Sequence, residues 1–171
     1  SYSVTGVQTC ALPISKGLKQ LADQEADLYW EDFELGRVMS TATRTIVDED
    51  LDLFIRLSGL DNPLFTSGAE IGGGVRIVPA PLQLSLGMGL CQRAGIFNRV
   101  VAVLEFDEMK FHRAVHLGDA LRMEAVAASK RPTQKSDRGL VVLGYTLKNQ
   151  RNEAVMTARA TYLMRRLPAV T

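Results

Sequence analysis

The last third of the chain constrains the fold most. Between Val100 and Arg165 four strand-like runs follow one another: Val100 to Phe111, Ala120 to Lys130, Leu140 to Asn149 and Ala154 to Arg165. The later links, His116-Leu117-Gly118-Asp119, Pro132 to Gly139 and Gln150 to Glu153, are short, polar and rich in turn formers. Apolar residues recur there with period two, so Val141, Leu143, Tyr145 and Leu147 share one face of the third run. In the fourth, Met156, Ala158, Ala160, Tyr162 and Met164 do the same, and the two alanines leave room for a thick element above them. Strands linked this closely pair as antiparallel neighbours. Helical segments precede them, which gives an α+β protein with a mostly antiparallel sheet.

Upstream the signals are more mixed. Tyr29-Trp30-Glu31-Asp32-Phe33-Glu34-Leu35-Gly36 is aromatic, ends in glycine and suits an entry turn that pins the chain to the domain. Val38 to Val47 is rich in β-branched residues and reads as one strand. Asp48 is the expected N-cap of a short helix through Leu57 that Gly59 stops, with Leu51, Phe54 and Ile55 on one face. Leu60 to Pro79 is loop-like, and so long a loop inside a compact domain is commonly functional. Pro81 to Arg93 is ambiguous. The alternation of Leu82, Leu84, Leu86, Met88 and Leu90 fits a strand, whereas the length and the leading proline fit a buried helix. Ser85, Gly87 and Gly89 are small enough to let strands lie close to such a helix.

Composition narrows the function classes. The 171 residues are 46% hydrophobic and 23% charged, with a formal net charge of +1, so neither nucleic acid nor a membrane is the expected partner. No apolar run is long enough to span a bilayer. Cys10 and Cys91 offer neither a disulfide framework nor a zinc-site spacing, which points to the cytoplasm. Val4 to Ile14, VTGVQTCALPI, resembles the translation of a sequencing-adapter oligonucleotide and lacks the basic and apolar regions of a signal peptide. Residues 1–15 are therefore expected to be foreign to the fold, with Cys10 not native. Residues 16–28 form a polar segment, and 29–167 a single domain.

Three segments resemble the MaoC-type acyl-CoA hydratase/dehydratase family. Ser58-Gly59-Leu60-Asp61-Asn62-Pro63-Leu64-Phe65 is similar to its loop S/T-G-D-x-N-P-x-H. Arg76-Ile77-Val78-Pro79-Ala80-Pro81-Leu82 is similar to the entry to its central helix, and Lys110 to Leu121 to its later hairpin. Order and spacing agree from about Tyr29 to Arg166. The resemblance implies a hot-dog fold, a curved antiparallel sheet wrapped around a central helix, and so implies that Pro81 to Arg93 is that helix. It also implies dimers, of two copies or with a related hot-dog subunit, with acyl-CoA sites at the interface and no cofactor.

Hydrating a 2-enoyl thioester requires a base to activate water and donors to hold the charge developing on the thioester oxygen. In the family the loop aspartate and histidine handle water and proton, and a backbone N–H at the start of the central helix holds the oxygen. Here the aspartate position is Leu60 and the histidine position is Phe65, and neither transfers a proton. Asn62 and Pro63 match the family, and the oxyanion donor falls to the backbone around Ala80 and Pro81. Asp61 is the candidate substitute base; its alternative is an Asx-turn or cap before Asn-Pro. Phe65 reads as an apolar plug of an acyl pocket or as core.

Other candidates read more simply. Glu70 is expected to be a solvated carboxylate, and His112 and His116 surface residues of the hairpin. The basic loop Lys130 to Arg138 is either a seat for CoA phosphates or, preferably, a solvated hairpin loop. Gly72-Gly73-Gly74 lacks a following Gly-Lys-Ser/Thr and reads as a flexible segment rather than a phosphate loop. A hot-dog thioesterase would need a carboxylate on or beside the helix, and Pro81 to Arg93 has none. Two readings stay open: a hydro-lyase using Asp61, and a non-catalytic thioester binder or structural partner of an active subunit.

Overall fold

The computed structural model describes residues 27–68 and 73–168, so residues 1–26 with Cys10, and also Glu70 and Gly72, lie outside it. A 3-10 turn at Trp30–Asp32 leads in, followed by β1 (Val38–Ser40), β2 (Arg44–Thr45), α1 (Asp48–Ser58), α2 (Pro63–Thr66) and α3 (Ala80–Arg93). Four long strands complete the order: β3 (Val100–Phe111), β4 (Ala120–Pro132), β5 (Arg138–Lys148) and β6 (Ala154–Arg165). The sheet runs β1-β4-β5-β6-β3, with β2 also on β4, and every strand pair is antiparallel.

The strands alternate as their sequences require. On β5 Val141, Leu143, Tyr145 and Leu147 are buried, and on β6 Met156, Ala158, Ala160, Tyr162 and Met164. The curved sheet wraps α3 with this face, which resolves Pro81 to Arg93 as the central helix. Its period-two alternation does not signify a strand, because α3 buries residues on more than one side: Leu82, Gln83, Gly87, Leu90 and Cys91. Of the three small residues only Gly87 permits close approach, since a Cβ there would strike the Cε of Met123 on β4. Gly89 faces open space and Ser85 is exposed, its hydroxyl donating to Pro81 O at 2.9 Å.

Two local readings are corrected. Val38 to Val47 is broken into β1 and β2 at Thr41, whose buried hydroxyl accepts from Met123 N at 2.9 Å and donates to Ala42 O at 2.9 Å. There the Met123 N–H goes to a side chain, while Thr41 N still donates to Met123 O at 2.9 Å. Asp48 is the first residue of α1 rather than its cap; Asp50 accepts from Val47 N at 3.2 Å instead. Gly59 does end α1, in left-handed backbone at φ 73°, with its N–H on Ile55 O at 2.8 Å. Leu51 and Ile55 are buried as the helical spacing predicts.

The aromatic entry turn is a clasp. Trp30 Nε1 donates to Leu140 O at 2.9 Å, Phe33 is buried, and Gly36 N donates to Ala127 O at 3.0 Å. The indole lies on Gly139, where a side chain would collide with it. Lys130 and Arg166 each sit over the same ring at 4.8 Å.

Candidate functional site

The loop after α1 has a defined shape. Asn62 caps α2 by accepting from Leu64 N at 2.9 Å, and Pro63 occupies the first helical turn, where it lacks no needed donor. The Ser58 hydroxyl donates to Phe54 O at 2.7 Å and accepts from Leu60 N at 3.3 Å. Asp61 N donates to Gly59 O at 3.0 Å. The Asp61 side chain is exposed and makes neither the Asx-turn nor the cap considered for it, since Asn62 takes that role. Leu60 is 38% exposed, and Phe65 is half-buried against the core.

Arg76 holds this loop to α1 and to the start of α3. Its Nε donates to Phe65 O at 2.7 Å, while its other nitrogens meet Asp48 at 2.8 Å and Asp52 at 2.6 Å. Burial opposes the charge, but the two aspartates outweigh it and hold the guanidinium above its usual range. Ile77 N donates to Leu64 O at 3.2 Å, and Leu117 N to Arg76 O at 2.9 Å. Sequence reasoning missed Arg76; the available signal was a single charge inside the apolar run Val75 to Val78. Nearby, Gly68 is buried at φ 69°, and a Cβ there would come within 2.8 Å of the Gly74 and Val75 backbone. Only glycine closes the loop at that crossing.

Central helix α3 begins beside this loop. Val78 N donates to Val115 O at 2.7 Å, Pro79 precedes the first helical residue, and Pro81 lies in the first turn. Among the described residues the Ala80 N–H carries no hydrogen bond, so it is a donor at the positive end of a helix of 14 residues. One turn further, buried Gln83 donates from Nε2 to Val78 O at 3.0 Å, and its Oε1 has no partner. The hairpin reaches this region too, because His116 bridges Ile77. His112 is exposed on the far strand end, with Nε2 at 2.8 Å from Thr157 Oγ1.

Loop, helix start and hairpin therefore meet at one end of the molecule. Asp61, Phe65 and Ala80 line none of five cavities of about 340 to 680 Å³ among the described residues. The basic loop is partly committed to structure: Lys130 Nζ donates to Glu31 O at 3.0 Å, and Arg138 binds Asp137 through two bonds at 2.8 and 2.7 Å. The described residues hold no cluster suited to a metal, and no helix among them is long and apolar enough to cross a membrane. Cys91 is fully buried and its thiol is pushed up to about 12 by that burial, which makes it a poor nucleophile.

No family model and no curated protein sequence matches the chain. Solved structures do. A monoamine oxidase regulatory protein from Archaeoglobus is 27% identical over 82% of this chain and 96% of its own, with a TM-score of 0.73. A protein from Chloroflexus aurantiacus described as a MaoC domain dehydratase gives a TM-score of 0.78 at 23% identity, over 86% of this chain. A Mycobacterium tuberculosis protein described as a double hot-dog fold gives 0.71 at 17% identity, over 84%. This chain spans 43% and 46% of the last two, so it is similar to one part of each. With the sheet, the wrapped helix and these neighbours in view, the chain has a hot-dog fold, similar to that of MaoC-like dehydratases.

Proposed function

We propose that this chain binds an acyl thioester of the CoA class as a MaoC-like hydratase does, without the usual acid–base pair. One observation carries the reading: the loop keeps its cap, its proline and its attachment to α3, while Leu60 and Phe65 stand where aspartate and histidine would act. The Ala80 N–H supplies the donor for the thioester oxygen, and the half-buried Phe65 an apolar wall for the acyl chain. Asp61 is exposed, so it does not take over as a desolvated base. The working unit is a dimer in the cytoplasm, of two copies or with a related catalytic hot-dog subunit. Its support is β3, an edge strand whose Val103, Leu104, Phe106, Met109 and Phe111 are each at least 36% exposed.

The expected result is a rise in melting temperature with a short enoyl-CoA and no turnover. A shift absent with every CoA thioester tried overturns the binding reading. The second reading, a hydro-lyase using Asp61, gains support from Asp61 being the nearest carboxylate in sequence to the family position. It requires hydration of the enoyl-CoA that Asp61→Asn abolishes. A double variant Leu60→Asp with Phe65→His tests the site itself, because restoring the pair on this loop is expected to bring hydratase activity into a folded, thioester-binding protein.

A further inference from the structure

A second region of the molecule holds a cavity lined by no residue of the Ser58–Phe65 loop or of α3. It has a volume of about 680 Å³ and is lined by Tyr29, Arg99, Ser136, Asp137, Arg165 and Arg166 among others. Volumes of this size are those of small-molecule sites. Three arginines from two parts of the chain converge there: Arg99 just before β3, and Arg165 with Arg166 at the end of β6.

Two of the three are held in advance. Arg99 pairs with Asp27 at 2.5 Å and lies over the Tyr29 ring at 5.0 Å. Arg166 pairs with Glu31 at 2.7 Å and lies over Trp30. The backbone fixes the group as well, through Arg165 N on Arg99 O and Arg166 N on Asp137 O, both at 2.9 Å. Such restraint reduces the side-chain entropy lost when a ligand is gripped.

The carboxylates around the cavity are already engaged. Asp27 also accepts from Asn98, Glu31 also accepts from Leu167 N at 3.0 Å, and Asp137 is chelated by Arg138. Arg165 meets no carboxylate among the described residues, and Arg99 Nε has no hydrogen-bond partner. Arg99, Arg165, Arg166 and Arg138 against Asp27, Glu31 and Asp137 leave an excess of one positive charge. Planar guanidinium forks match phosphate oxygens, and several together match a multiply charged group better than a single carboxylate.

We infer that this cavity is a phosphate-binding site, taking the phosphate or diphosphate of a small phosphorylated molecule. The shared chemistry has two sources, the nucleotide end of a CoA ester and a free phosphorylated metabolite. The test titrates the full chain with inorganic pyrophosphate at low salt by calorimetry and phosphorus NMR, then with 3′,5′-ADP and with CoA. Arg165→Gln is the deciding variant, since Arg165 has no structural ion pair to lose; Arg99→Gln is expected to act alike where it folds. Pyrophosphate affinity should fall about ten-fold in Arg165→Gln, at an unchanged melting temperature without ligand. CoA binding tighter than pyrophosphate and 3′,5′-ADP assigns the site to a CoA ester; CoA binding no tighter assigns it to a separate metabolite. Absent pyrophosphate binding, or binding that Arg165→Gln leaves unchanged, overturns the assignment.

Discussion

Substituting Gly139 by alanine should destabilise the protein through one residue more than a hundred positions away. Gly139 is buried on β5, where its backbone is not in the left-handed region, so the added methyl introduces no local strain. Its Cβ would fall 2.6 Å from both Cδ1 and Cε2 of Trp30, and closer still to Nε1. The indole is rigid and must move. Moving it breaks the bond from Trp30 Nε1 to Leu140 O, worth about 1 kcal/mol. It also disturbs the Lys130 and Arg166 contacts with the ring, worth about 0.5–1 kcal/mol each. Against this, alanine recovers about 0.5–1 kcal/mol of backbone entropy relative to glycine. The net loss is about 1–2.5 kcal/mol, or a fall of about 2–10 °C in melting temperature for a chain of this size. Calorimetry of Gly139→Ala, Trp30→Ala and the double variant gives the coupling. With Trp30 removed, Gly139→Ala should be neutral or stabilising. An equal loss in both backgrounds refutes the clash as its cause.

Four further outcomes follow from the contacts. Burial works against the charge on Glu31, yet the Arg166 guanidinium and Leu167 N–H hold its carboxyl below the usual range. A depressed folded pKa contributes stability above the unfolded value of about 4.3 that is lost as pH falls through the folded one. Glu31→Gln should therefore flatten the acid limb of the stability–pH profile below about pH 4.5, measured by denaturant titration at several pH values. Cys91 should resist a thiol reagent in the folded protein and react once denaturant unfolds it, read by mass spectrometry in a Cys10→Ser background. Arg76→Met should cost about 1–3 kcal/mol and make the loop around Phe65 a site of proteolysis, checked by limited digestion. Phe106→Asp on the exposed edge strand should shift the protein to a monomer in size-exclusion light scattering; an unchanged mass would place the dimer contact elsewhere.

Much of this fold was legible because β5 and β6 each bury one face only, so their sequences carry a clean period of two. Helix α3 was not legible from periodicity. Apolar residues surround Leu82 to Leu90 on most sides, and a helix buried on several faces loses the contrast that marks its period. The break at Thr41 depends on Met123, 82 residues away, and no local signal reports such a partner. The choice of Gly87 over Gly89 as the close-approach residue depends on the rotation of α3 against β4, which composition does not record. At the candidate site the residues Ser58 to Phe65 indicated a loop, but the cap considered for Asp61 is made by its neighbour Asn62, a choice set by backbone geometry that the sequence does not record. The approach of His116 to Ile77 was hidden, because it joins two segments 39 positions apart through a single bridge.

The loop's anchors set its shape independently of the side chains at positions 60, 61 and 65. Ser58, Asn62 and Arg76 hold it by side chains, Gly59 and Gly68 by backbone conformation, and the bond from Ile77 N to Leu64 O joins it to the start of α3. None of these contacts uses the side chain of Leu60, Asp61 or Phe65. Aspartate or histidine side chains at positions 60 and 65 are thus not needed for the loop's shape. Leu60 and Phe65 place two apolar side chains on a partly solvated loop, one of them 38% exposed. Such a surface is poorly suited to holding water for attack and better suited to an acyl chain or a partner's apolar face. The hydrogen bonds that set the loop's shape therefore leave the side chains of Leu60, Asp61 and Phe65 out.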